Sequence, residues 1–276
     1  MKKIIFLSLA VGAVLAACSG TKKADATDAA ADNAVEESAA EEALKLDSVG
    51  YTTSAKWFDK EMGENTGYEV DFSAQYPVAG PKLLVDSLRA YIAKSVGAPD
   101  GTDLADGTKV MQAAGCRSIA IARSTGSFGQ MGGEDTFSFK LIYETPKFVT
   151  FDATSYLYMG GAHGMGLSQG VTFDAATGAT IGWNIFKPES KARLEALVKD
   201  GVCRQYFEVP DWKTYNEQWD QEFALPGLPP AFTKDGVTFY YTSYEIGPYA
   251  VGTPTCTIPY SEMLPLMTPS AAALLK

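Results

Sequence analysis

The chain has 276 residues, of which 46% are apolar and 12% aromatic, and its formal net charge is −10. Binding to a phosphate backbone needs clustered lysine and arginine, so this acidic composition argues against nucleic acid as a partner. The apolar content is sufficient for a large core, in one domain or in two.

The N-terminus has the pattern of a secretion signal that ends at a lipid attachment site. Lys2 and Lys3 precede an apolar run over residues 4–17, which is too short to span a bilayer. The run ends in Leu-Ala-Ala-Cys, which resembles the bacterial lipobox. We therefore predict that residues 1–17 are a signal peptide and that Cys18 carries the lipid. The alternative is an ordinary signal peptide beside an unrelated cysteine.

Lipidation would place the protein in the cell envelope, anchored to a membrane by its N-terminus. Each buried acyl CH₂ contributes about 0.8 kcal/mol, so two or three chains anchor a protein firmly. Ser19 offers no acidic retention signal, which in a Gram-negative cell favours the outer membrane, with the body facing the periplasm or the outside. Residues 18–47 contain many acidic and small residues and no aromatic one, so we predict a disordered acidic linker after the lipidated cysteine.

Residues 48–165 are predicted to form a first α+β module. Apolar alternation indicates its strands, and Pro77 is predicted to end the first of them. Pro81 suits the first position of a helix, and Gly97 suits its C-terminal stop. In chain order the predicted elements are a strand at 68–76, helices at 80–97 and 108–123, a loop at 124–135, and strands at 136–146 and 147–159.

Residues 166–268 are predicted to form a second, closely associated α+β module, and residues 269–276 a tail. Its elements are a hairpin at 171–183, a helix at 187–207, an irregular or shortly helical segment at 211–230, a hairpin at 230–246, a strand near 255–260 and a short helix at 261–267. Strands and helices in this order predict an α+β fold with antiparallel sheets and helices packed on them.

Motifs in the second half of the chain carry a family resemblance. They are YxGGAHG at 158–164, DxxTG at 174–178, FYYxxYEIGPYAxG at 239–252 and IPY at 258–260. Together they resemble a bacterial envelope family of unknown function. Its two modules also form the extracellular part of the lysozyme-sensing anti-sigma factor of Gram-positive bacteria, and they recur beside the catalytic domain of a peptidoglycan deacetylase. Here the first module is similar to the deacetylase-accessory module, and the second to the anti-sigma ectodomain.

The resemblance implies a binding or sensing ectodomain rather than an enzyme, with no cofactor. Besides the membrane at the lipid, the partners that it implies are a cationic, lysozyme-like protein or a peptidoglycan fragment. Two alternatives remain. One is an envelope hydrolase that acts on glycans or peptides through His163, and the other is a purely structural lipoprotein.

The candidate residues for ligand binding, or for a joint between the modules, are His163, Tyr158, Gly160, Gly161, Tyr244 and Tyr249. Histidine titrates near neutrality and suits acid–base chemistry, whereas metal binding would need carboxylate partners that the sequence does not indicate. A structural role for His163 is favoured because the neighbouring glycines permit tight turns or the close approach of a strand. The tyrosines could belong to the core, or an exposed set could contact sugars or a protein.

No catalytic residue and no metal site are predicted. Residues 166–170 match GxSxG, but a nucleophile elbow needs a strand–turn–helix and a histidine that follows the serine. The only histidine, His163, precedes it. Cys116, Cys203 and Cys256 lie far apart without metal-ligand spacing; two of them could form a disulfide, and the sequence leaves the pairing open.

Overall fold

The computed structural model describes residues 43–60, 62–126 and 128–276. The predicted signal peptide, Cys18 and the linker as far as residue 42 lie outside these ranges, so the lipid anchor stays a prediction. Within the described ranges, no helix is both long and apolar enough to cross a membrane.

The larger of two sheets has five strands in sequence order. They are β1 (Lys45–Asp59), β2 (Glu64–Ala79), β3 (Gly133–Glu144), β4 (Phe148–Tyr158) and β5 (Met165–Asp174). Three of the four strand pairs are antiparallel. The exception is the parallel pair β2–β3, which a crossover through two helices, α1 (Lys82–Ser95) and α2 (Gly107–Thr125), makes possible. The predicted α+β class is confirmed, and the parallel pair was not predicted.

One face of this sheet, called here the inner face, is covered by α1 and α2. Strand β2 points alternate apolar side chains into the resulting core, and α1 contributes one buried stripe. The opposite face, called here the outer face, carries polar residues at the intervening positions. The buried residues that β2 and α1 supply are Tyr68, Val70, Phe72, Ala74, Tyr76, Leu84, Leu88 and Ile92.

A second core lies around a three-stranded antiparallel sheet of β6 (Ala231–Thr233), β7 (Gly236–Tyr240) and β8 (Thr255–Ile258). Helix α3 (Lys191–Gln205) packs on β8 and buries Val198 and Val202. The other helices of this half are α4 (Trp212–Asn216), α5 (Tyr260–Met263) and α6 (Pro269–Leu274).

The small sheet covers one end of the outer face, called here the covered end. The Thr150 hydroxyl donates to the backbone carbonyl of Phe232 at 2.7 Å and lies 2.9 Å from the Thr172 hydroxyl, which accepts from the Phe232 N–H at 2.9 Å. Gly170 leaves room here, since a Cβ on it would lie 2.6 Å from that of Ala231. The two sheets are thereby joined through buried, satisfied polar groups.

Several predicted boundaries are wrong. The linker was predicted to reach residue 47 and no strand was expected before Tyr68, but β1 begins at Lys45 and pairs along β2. Pro77 does not end β2, which continues to Ala79. Proline is tolerated there because it lies near the end of the strand, opposite Leu46.

The second half also needs corrections. The predicted hairpin at 171–183 turns at Asp174–Gly178, but only the bridge Phe173–Thr180 follows it. Ile181 and Ile185 instead turn away into the second core. The predicted module boundary at residue 166 falls inside the large sheet, since β5 pairs with β4 throughout. The predicted tail at 269–276 contains α6, whose Ala271 is buried.

Candidate functional site

The turn between β4 and β5 brings the predicted site residues together. Gly160 and Gly161 have φ of 89° and 91°, a conformation that glycine adopts without steric cost. The Tyr158 hydroxyl donates to the carbonyl of Gly161 at 2.9 Å and so fixes the turn. Gly160 and Gly161 thus permit a tight reversal of the chain at this turn.

His163 connects this turn to the loop between β7 and β8. Its ring stacks on that of Tyr249, with centroids 3.6 Å apart and planes 14° apart. Its Nδ1 lies 3.0 Å from the Gly164 carbonyl, and its Nε2 lies 2.9 Å from the Tyr244 hydroxyl. Because the carbonyl can only accept, Nδ1 carries the proton and Nε2 accepts from Tyr244. The Tyr249 hydroxyl also donates to the Gly164 carbonyl at 2.9 Å.

This group, His163 with Tyr244 and Tyr249, is called here the joint. It joins the turn between β4 and β5 to the loop between β7 and β8. Both ring nitrogens of His163 are engaged, and among the described residues no carboxylate bonds to it. Tyr244 adopts a φ of 75°, which is costly for a residue with a Cβ and persists only where its surroundings hold it.

The end of the outer face opposite to the covered end, called here the open end, forms a cleft of about 810 Å³. That volume lies within the range of about 300–1,000 Å³ that is typical of ligand sites. The side chains of Ser54, Glu69, Glu134 and Tyr158 form one row across four strands, because their positions are paired in register. Other lining residues are Lys56, Asn65, Gln130, Met131, Tyr156 and His163.

Two carboxylates stand side by side in this row. Glu69 and Glu134 are register partners on parallel strands, and strand spacing is about 4.8 Å. Among the described residues, Lys56 is the one lysine or arginine that lines the cleft. Glu134 and Asp135 are neighbours along β3, but their side chains point to opposite faces of the sheet. Burial raises the pKa of Asp135, and a hydrogen bond from Ser118 opposes that rise.

Three exposed apolar side chains lie in the cleft or next to it. Met131 is 89% exposed, Met62 62% and Phe58 57%. Met62 and Met131 also line a second hollow of about 410 Å³, which shares Tyr158 and Gly161 with the cleft. These three residues are called here the rim. The sequence analysis did not identify the rim, Glu69 or Glu134 as site residues. A signal for Glu69 was present, because polar residues alternate with the buried apolar residues along β2.

The other sequence candidates give no chemical site. The GxSxG serine, Ser168, lies within β5 opposite Thr154, so the strand–turn–helix of an elbow is absent there. Cys116 is exposed, Cys203 and Cys256 are buried, and all three are free. Burial raises the pKa of the Cys203 thiol to about 11 and that of Cys256 to about 12, which makes both unreactive. No cluster of three potential metal ligands occurs among the described residues.

Fold and cleft together define an α+β protein that presents an open, polar, concave sheet face. Residues 184–261 match the family model described as a protein of unknown function, DUF3298. The fold is similar to the crystal structure of a DUF3298 member from Bacteroides fragilis, with a TM-score of 0.68 and 20% identity over 85% of this chain and 98% of that one. It is also similar to a DUF3298 protein from Pseudomonas aeruginosa, with a TM-score of 0.54 and 15% identity over 82% and 96%.

No curated protein matches the sequence. The matched domain of unknown function, residues 184–261, lies within the range of the predicted second module. At these identities, the similarity to the two crystal structures shows a shared fold and says nothing about function. The lipid anchor, the anti-sigma ectodomain and the deacetylase-accessory module stay predictions.

Proposed function

We propose that the chain is a lipid-anchored protein of the cell envelope whose body binds a basic, lysozyme-like protein at the open end of the large sheet. The observation that carries this proposal is the cleft with its rim. Single exposed apolar side chains are normal on a soluble surface, but a group of them beside a polar cleft, as Met131 and Met62 form here, is typical of a protein-binding site.

The charge of the site supports a basic partner. Glu69 and Glu134 lie side by side in the cleft, and the whole chain is acidic, at −10. Complementary charge accelerates the encounter of two proteins and excludes partners of like charge. The methionines support a protein partner too, because their unbranched, polarisable side chains adapt to irregular surfaces.

A peptidoglycan fragment is the second candidate, and the composition of the cleft wall favours it. Tyr156 and Tyr158 face the cleft from adjacent outer-face positions of β4, beside the hydroxyl of Ser54 and the amides of Asn65 and Gln130. Aromatic faces combined with hydroxyl and amide groups suit the apolar and polar sides of a sugar ring.

Calorimetric titration of the protein with lysozyme and with muropeptides tests both candidates. We expect lysozyme to bind, with an affinity that falls as salt rises. The double variant Glu69→Gln/Glu134→Gln should weaken binding about tenfold, or about 1.4 kcal/mol, and Met62→Ser/Met131→Ser by a similar factor. Glu189→Gln and Ile142→Ser are the controls, since these exposed residues do not line the cleft.

Binding of muropeptides but not of lysozyme would replace the first candidate with the second. Binding of neither, or equal loss of affinity in the control variants, contradicts the proposed site. The anchor is tested separately. We expect globomycin to block processing of the full chain in cells, and a Cys18→Ala chain to be neither lipidated nor sensitive to globomycin.

A further inference from the structure

The open edge of strand β1 is the feature that the proposed function does not use. Strand β1 runs for 15 residues and pairs with β2 on one side. It forms an edge of the large sheet, and no strand within the described ranges pairs with its other side. Such an edge offers a row of backbone N–H and C=O groups, and natural proteins usually protect it with proline, charge, a bulge or a short strand. Strand β1 is long, has no proline, and is irregular only at its first residues.

We infer that a second copy of this chain pairs with β1 through this edge, antiparallel and about a two-fold axis at Thr52. This register keeps inner-face residues opposite inner-face residues, as a continuous sheet requires. On the inner face it sets Val49 opposite Ala55, and Tyr51 opposite Thr53. No like charges lie opposite one another.

The helices on the inner face are compatible with this arrangement. Helix α2 packs on both β1 and β2, so its axis lies over that pair of strands. The two-fold axis would then separate the α2 helices of the two copies by two strand spacings, or about 10 Å. Packed helices have interaxial distances of about 8–10 Å, so the two helices would touch without clashing.

Cys116 on α2 can be used as a crosslinking probe of this arrangement. It is exposed, and its thiol lies 3.7 Å from the Tyr51 hydroxyl. Tyr51 and its copy would be diagonal neighbours across the two-fold axis, about 7–8 Å apart. The two Cys116 thiols would therefore lie on the same side of the joined sheet, near its centre, whereas Cys203 and Cys256 are buried.

Crosslinking of the full-length protein in membranes with a short bismaleimide tests the inference. We expect a covalent dimer that disappears in Cys116→Ser. Thr52→Lys and Thr52→Glu, each expressed alone, should lower the dimer yield about fivefold, because like charges then meet at the axis. Coexpression of the two variants should restore the dimer, since Lys and Glu then face one another.

Thr154→Lys is the matched control, because Thr154 is an exposed outer-face threonine bonded to an aspartate, as Thr52 is, but lies on β4. It should leave the dimer yield unchanged. Restoration by coexpression also shows that both Thr52 variants fold. The absence of a dimer in the wild type would overturn the inference. That result is expected if the linker or an unrelated peptide occupies the edge instead. A dimer that persists in Thr52→Lys, or is not restored by coexpression, would equally overturn it.

Discussion

The two ends of the outer face carry similar polar side chains and have opposite surroundings. At the covered end, Thr150 and Thr172 are buried and bond to the backbone of Phe232. At the open end, Glu69 and Glu134 face a cleft that no described element fills. The comparison shows that polarity on a sheet face does not distinguish an internal interface from a binding surface. What distinguishes them is whether another part of the chain supplies the hydrogen-bond partners.

The largest expected difference between the two ends comes from removing an aromatic ring. Phe232→Ala removes a fully buried ring that packs edge-to-face on Phe148 at 5.2 Å, and it should lower the free energy of unfolding by about 3–5 kcal/mol. Phe58→Ala at the open end should change it by less than about 0.5 kcal/mol, because that ring is exposed. Urea denaturation of both variants measures the difference. Similar losses would mean that the open end is packed too.

The two ends can also be compared within strand β5, by adding a methyl group at one glycine near each end. Gly170→Ala places a Cβ 2.6 Å from Ala231 and should cost about 1–3 kcal/mol. Gly166→Ala, four residues away on the same face, meets its nearest atom at 3.8 Å and should be neutral or stabilising by about 0.4–1 kcal/mol. Thermal unfolding of the two variants decides this, and the prediction fails if Gly166→Ala is the more damaging.

Sequence patterns located most elements of the fold, because helix periodicity, strand alternation and proline–glycine punctuation are local. They predicted α1, α2, α3 and the meander of β3 and β4 to within a few residues. Strand β1 was missed because its apolar residues alternate with serine, threonine and glycine, as suits an edge. The parallel pairing of β2 with β3 depends on a crossover between distant segments, and no local pattern encodes it.

The same distinction between local patterns and contacts of distant segments applies to the candidate site. The joint was predicted as a group of residues, since glycines and a lone histidine stand out in a sequence. Its contacts, such as the stack of His163 on Tyr249, join segments far apart in the chain. Glu69 and Glu134 meet only through the register of β2 and β3. Glu134 and Asp135 fall in the loop predicted at 124–135, but both lie on β3 and point to opposite faces.

A substitution at His163 should have an intermediate effect on stability, because its side chain is exposed but hydrogen-bonded. His163→Ala removes a ring stack and a hydrogen bond to Tyr244, each about 0.5–1.5 kcal/mol, and should lower stability by about 1–2 kcal/mol in all. Tyr244→Phe removes the hydrogen bond alone and should cost less. Calorimetric melting of both variants provides the measurement. Unchanged melting of His163→Ala, together with loss of an envelope hydrolase activity, would favour the catalytic alternative.

The smallest effect is expected at Asp135, on the inner face behind the cleft. Burial raises its pKa above the ordinary 3.8, and the hydrogen bond from Ser118 opposes this rise. The folded state therefore binds the proton more tightly than the unfolded state. The carboxyl's contribution to stability is greatest below pH 3.8 and declines as pH rises through the raised pKa. Asp135→Asn should remove this decline and leave the protein at least as stable as the wild type at neutral pH.

Urea unfolding of Asp135→Asn across the acid-to-neutral range measures this, with Glu134→Gln as the control on the opposite face of the same strand. The control should retain the decline, because its substitution lies in the open cleft and leaves Asp135 ionisable. If Asp135→Asn instead loses stability at neutral pH, the hydrogen bond from Ser118 to the carboxylate outweighs the cost of burying the charge. Asp135 would then stabilise β3 against α2 in its charged form, and its pKa would be lowered rather than raised.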